Sequence, residues 1–412
     1  MQENITKFFF LLTNYDKINM YYDSGGVMKG LKNNTLVRLS NTRQPNERQS
    51  NFELMRIVSM LFIILWHILM HGHVIDNCEN QALKTILQIT QYIIVVHVNS
   101  FVVLMGYFQS KSKFKLNKVI KLVLQVIFYS FVIMLIALKL GWIEDFSSIT
   151  ILNSLLPSGA MIDFWFIGAY ITVYCFSDII NKFIDCLSKK DYQKTLLILF
   201  FFLSFLPFIT GQGRFSNDGY NFYSFIFLYL IGGYLRRYPL NQSYYFKNLD
   251  KRKYVLLIIF IFFMCAYLNY SLTLFSSNIN NKSNIFSFIA NRINASNLFY
   301  STPFVIVQSI CYFELFRNMN IKNKFINYIS KSVIGVYLIH DNFYIRNNIY
   351  KLLGFEMKVY SYKFIIVLVS AVLSIFIACI IIDKLREKLF IVVKKLVLFM
   401  KDFHRNICDY YN

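Results

Sequence analysis

Residues 51–72 read NFELMRIVSMLFIILWHILMHG. Between Arg56 and His67 every residue but Ser59 is apolar. A helix rises about 1.5 Å per residue, so this stretch is roughly as long as a bilayer's hydrocarbon core is thick. Ionisable side chains within such a segment are costly and mark candidate functional positions. Arg56 and His67 are eleven residues apart, close to three full turns. They therefore share one helix face about 16 Å apart, too far to touch but within reach of one extended ligand.

Apolar runs of similar length recur along the 412-residue chain, which is 56% hydrophobic and only 16% charged, with mean hydropathy +0.45. The fold class is all-α, a polytopic transmembrane helical bundle. Ten spans are expected at about 52–71, 86–108, 119–140, 160–181, 195–211, 219–235, 254–274, 298–316, 328–346 and 362–382. Three segments follow: a polar N-terminal tail (1–50), the ten-span membrane domain (51–382) and a basic amphipathic tail (383–412). Intrinsic disorder, a secreted disulfide scaffold and a soluble enzyme are excluded. Seven scattered cysteines form no C-x-x-C, and no cleavable signal peptide precedes the first span. Met28 offers an alternative start.

The net charge of +21 reads as topology rather than nucleic-acid binding. With the N-terminus inside, 33 of the 43 Lys and Arg fall in cytoplasmic segments, 9 fall outside, and Arg56 lies within a span. Both termini are then cytoplasmic. In the last segment Leu385, Leu389, Val392, Leu396 and Phe399 recur at helical spacing among lysines, as in an interfacial helix on anionic membrane lipid.

Depth follows from the same rise per residue. Arg56 lies about 6 Å inside the cytoplasmic edge and His67 about 22 Å in. In the ninth span His340 comes about 18 Å in, just after Tyr337; the fourth span places Asp163 and Trp165 within about 8 Å of the outer edge. His67, Asp163, Trp165 and His340 thus fall in one layer towards the outside, with His97 and Asn99 nearer the middle. Plainer readings stand beside the functional one. Arg56 is also placed to snorkel, or to pair with Glu53 at i, i+3. His67 is also placed for an interhelical hydrogen bond, and Trp165 for the aromatic belt. His67, His71 and His73 do not read as a metal site, because Gly72 interrupts the helix and no carboxylate completes the set at helical spacing.

The stretch 51–72 resembles the opening span of the acyltransferase-3 family of integral membrane O-acyltransferases, the type that acetylates bacterial surface polysaccharides. That family carries an Arg, ten residues and a His there, as Arg56 and His67 do. In order, HVNSFVVLMGYFQS (97–110) is similar to the second span, with Gly106 and Tyr107. LPSGAMIDFWFIGAYITVYCFSDII (156–180) is similar to the Trp-Phe segment, with Trp165, Phe166 and Tyr170. ISKSVIGVYLIHDN (329–342) is similar to the late segment, with Ser332, Gly335, Tyr337 and His340. Two departures are that Asp178 stands where many members have Pro, and that the hydrolase-like C-terminal domain of longer members is missing.

The resemblance implies transfer of an acyl group, commonly acetyl, from cytoplasmic acyl-CoA (acetyl-CoA as co-substrate, without a metal) to a hydroxyl of a surface polysaccharide or lipid-linked glycan at the bacterial plasma membrane. Arg56, with Glu53, then meets the donor phosphates. His67 is the base, His340 or Tyr337 orients it or donates to the oxyanion, and Asp163, Trp165, Tyr170 and Tyr337 face the acceptor. The competing reading is a transporter or flippase for an envelope glycan or lipid. It usually shows internal repeats or matching broken helices, and neither is evident in the sequence.

Overall fold

A computed structural model describes residues 48–143, 146–156, 164–210, 217–279, 300–355 and 359–411. The predicted N-terminal tail and Asp163 lie outside these residues. The elements are α1 (Ser50–His71), α2 (Gln81–Ile94), α3 (His97–Gln109), α4 (Leu116–Lys139), α5 (Ser148–Leu155), α6 (Trp165–Cys175), α7 (Ser177–Cys186), α8 (Lys189–Phe200), α9 (Leu206–Thr210), α10 (Phe222–Arg237), α11 (Lys251–Ile279), α12 (Pro303–Arg317), α13 (Lys324–Ile329), α14 (Val333–His340), α15 (Phe343–Leu352) and α16 (Phe364–Tyr411). Among the described residues there is no strand; a single bridge pairs Cys78 with Val359. Residues 49–380 form one compact unit, and the rest of the chain belongs to a second.

Among the described residues, six helical stretches are long and apolar enough to cross a membrane: Ser50–His71, Gln81–Gln109, Leu116–Lys139, Lys189–Thr210, Lys251–Phe275 and Phe364–Leu396. They coincide with six of the ten segments expected from hydropathy. The other four, near 160–181, 219–235, 298–316 and 328–346, fall on shorter helices.

Three of the expected spans are broken within the described residues; the one near 160–181 divides at Phe176 into α6 and α7. Gln81–Gln109 breaks at Val95 and Val96, where the His97 ring donates from Nδ1 to the Ile94 carbonyl at 2.7 Å. A side chain inserted into the backbone ladder is a known cause of a kink. The segment 328–346 divides into the end of α13, a 3-10 turn at Ser330–Ser332, α14 and the start of α15. The break between α14 and α15 falls on Asp341 and Asn342. The Asn342 Oδ1 accepts from the Tyr344 amide at 3.1 Å and so caps α15.

α1 joins two hydrophobic cores. Its first turns place Phe52 and Met55 in a core shared with α3, α10 and α12. From Met60 to Leu69 it packs in a second core with α4, α14 and the first part of α16. α3 and α10 approach closely, and small residues permit it. A Cβ on Gly106 would lie 2.1 Å from the Tyr229 carbonyl oxygen, and one on Gly232 would lie 2.1 Å from that of Val103. Asp178, where the resembling family often has Pro, accepts from the Phe114 amide at 2.8 Å and ties α7 to the turn before α4.

Candidate active site

α1 and α14 bring their histidines together. The Nδ1 of His67 lies 3.2 Å from the Nε2 of His340. The other ring nitrogen of His340, Nδ1, is 2.7 Å from the Val336 carbonyl. A carbonyl only accepts, so His340 Nδ1 carries the proton and, in the neutral ring, Nε2 carries a lone pair. His67 must then donate from its own Nδ1, which leaves its Nε2 bare. The chain Val336 carbonyl, His340, His67 therefore selects the tautomer in which His67 can take a proton. His340 is buried, whereas the His67 side chain keeps 13% of its exposure.

A carboxylate completes the group. The Oδ1 of Asp341 is 3.4 Å from His67 Nδ1, and Arg346 donates to that same oxygen from Nη1 at 3.1 Å. Asp341 is buried, and the ion pair with Arg346 compensates its charge. Tyr337 is also buried, with its ring 6.3 Å from that of His340 and 5.6 Å from that of Phe164.

An aromatic cluster stands beside His97. The Trp165 ring lies 4.5 Å from Tyr220 and stacks 6.0 Å from Tyr300. Tyr300 contacts His97 Nε2 through its hydroxyl at 3.3 Å, and its carbonyl accepts from Asn99 at 2.9 Å. His97 and Asn99 thus brace this cluster. Asp218, in the left-handed turn (φ 58°) ahead of Tyr220, has its carboxyl pushed above the usual range by burial.

Arg56 occupies the far end of the same stripe of α1. It pairs with Glu53 at 2.6 Å, lies over the Phe108 ring at 5.8 Å, and keeps 30% of its side chain exposed. Lys118 and Tyr170 are within its electrostatic reach. α6 carries both Trp165 and Tyr170, five residues apart on one helix.

Of the layer expected from depth (His67, Asp163, Trp165, His340), His67 and His340 meet and Asp163 lies outside the described residues; Asp341, Arg346, Tyr220 and Tyr300 are not among the residues expected there. The signal for Asp341 was its place directly after His340 in the polar run that ends an apolar segment. Nothing in the local sequence points to Tyr220 or Tyr300.

A family model described as "Acyltransferase domain" matches residues 49–384. Neither the curated proteins nor the solved structures contain a match.

Proposed function

The chain belongs to this acyltransferase family, and from that premise we propose an integral membrane O-acyltransferase of ten spans with both termini cytoplasmic. It moves an acyl group, acetyl first among them, from cytoplasmic acyl-CoA to a hydroxyl of a cell-surface polysaccharide or lipid-linked glycan at the bacterial plasma membrane.

The observation that carries this reading is the hydrogen-bonded chain that leaves His67 Nε2 unprotonated. His67 takes the proton of the acceptor hydroxyl through Nε2 as the oxygen attacks the thioester carbonyl. The carbon–sulfur bond breaks, the CoA thiolate departs towards the cytoplasm, and the proton on His67 follows the leaving group or passes to water. Asp341, 3.4 Å from Nδ1, stabilises the imidazolium while it lasts.

Arg56, roughly 16 Å along the helix, meets the donor phosphates with Lys118 nearby, and Glu53 fixes its guanidinium. Trp165, Tyr220 and Tyr300 offer apolar ring faces on which a sugar can stack. Tyr337 and Tyr170 complete the proposed acceptor face.

The test compares purified His67→Ala and Arg56→Ala in proteoliposomes with labelled acetyl-CoA. His67→Ala should abolish transfer while donor binding persists. Arg56→Ala should raise the KM for acetyl-CoA. Full transfer by folded His67→Ala overturns the assignment of the base.

A further inference from the structure

Helical spacing along α1 supplies no carboxylate to its histidines, but the tertiary fold does. His67 and His71, at i and i+4, lie on one face with ring centroids 5.3 Å apart. Asp341 arrives from the end of α14. One ligand atom from each of the three lies within 4.8 Å of the others. Three donors on a tetrahedral zinc ion sit about 3.4 Å apart, given metal–ligand lengths of about 2.0–2.2 Å. Side-chain movements of about 1 Å would therefore close the set.

The donor set also selects the ion. Two imidazoles and a carboxylate suit zinc, cobalt or copper, whereas magnesium and calcium prefer oxygen donors alone. His71 is exposed at the C-terminal end of α1, which gives a hydrated ion an entry path. The Arg346 guanidinium, 3.1 Å from Asp341, opposes a second positive charge and keeps the site weaker than a resident metal centre.

We propose that His67, His71 and Asp341 form a binding site for a divalent transition cation of the zinc type, and that the bound ion blocks acyl transfer by occupying the His67 imidazole. The blocking role rests on the reading of His67 as the base; the binding site does not.

Tag-free full-length protein in detergent is titrated with CoCl2, followed by visible absorption, and with ZnCl2, followed by calorimetry. One ion should bind per chain. Outer partners of metal sites are worth roughly 10–100-fold in affinity, so His71→Ala, or His71→Gln if the alanine variant does not fold, should weaken binding at least tenfold. His73→Ala should bind as the wild type does, because His73 faces Asp76 at 3.5 Å outside the set. Saturating ZnCl2 should inhibit wild-type transfer, while His71→Ala keeps its basal transfer and resists the ion. Absence of saturable binding, or binding unchanged in the His71 variants, overturns the site. Binding that depends on His71 but leaves transfer intact under saturating zinc upholds the site and overturns both the blocking role and the assignment of His67 as base.

Discussion

Asp341→Asn separates charge from shape at the site. The amide retains the size of the carboxylate, and the Val336–His340–His67 chain still sets the tautomer of His67. The stabilisation of the imidazolium is lost, together with the ion pair to Arg346. At 3.4 Å and an effective dielectric of about 20, a lone carboxylate would contribute about 5 kcal/mol. Arg346 sits 3.1 Å from the same oxygen and offsets much of that field. A residue of about 1.4–2.7 kcal/mol is expected, which is roughly a tenfold to hundredfold fall in kcat. The KM for acetyl-CoA should stay unchanged, since the Arg56 end lies roughly 16 Å away along α1. The assay is steady-state transfer from labelled acetyl-CoA at saturating acceptor, with the melting temperature confirming an intact fold. Wild-type kcat in Asp341→Asn would refute the carboxylate's part in catalysis. A raised donor KM with unchanged kcat would place Asp341 in donor binding instead.

Trp165→Ala removes the ring that packs 4.5 Å from Tyr220. An aromatic contact is worth about 0.5–1.5 kcal/mol beyond its buried area, so the KM for extracted envelope glycan should rise up to about tenfold with donor KM constant; a change confined to donor KM would remove the cluster from the acceptor side. Gly106→Ala drives a methyl to within 2.1 Å of the Tyr229 carbonyl oxygen. That oxygen belongs to a buried backbone and cannot swing aside, so about 1–3 kcal/mol of stability should be lost. Thermal unfolding in detergent reads this as a lowered Tm, and an unchanged Tm would show that the α3–α10 crossing has slack.

The legible parts of this protein are those governed by hydropathy and helical period. The stretch 51–72 announced α1 because a span needs a long apolar run, and its ionisable residues stood out against that background. Depth alone put His67 and His340 in one layer, and their rings are 5.2 Å apart. Other features depend on tertiary contacts between residues far apart in sequence. Trp165 meets Tyr220 and Tyr300 only once the segments ahead of α10 and α12 converge on the start of α6. The paired glycines of α3 and α10 are informative only as a pair, and 126 residues separate them.

The break between α14 and α15 was hidden for a different reason. A hydropathy window averages over Asp341 and Asn342 and returns one span. The Asp341 amide still donates to the Tyr337 carbonyl at 3.1 Å, so Asp341 closes the last turn of α14 beside His340. The chain leaves the helix at Asp341 (φ −94°, ψ 4°), and Asn342 restarts it by capping α15. Both residues reach the same ring from that turn: His340 lies 3.2 Å and Asp341 3.4 Å from His67. The restarted helix also returns Arg346 to the Asp341 carboxylate, which fixes the acid where it meets His67. The residues least suited to a continuous span are thus the ones that assemble the site, and the Asn342 cap belongs to its scaffold as much as the buried rings do.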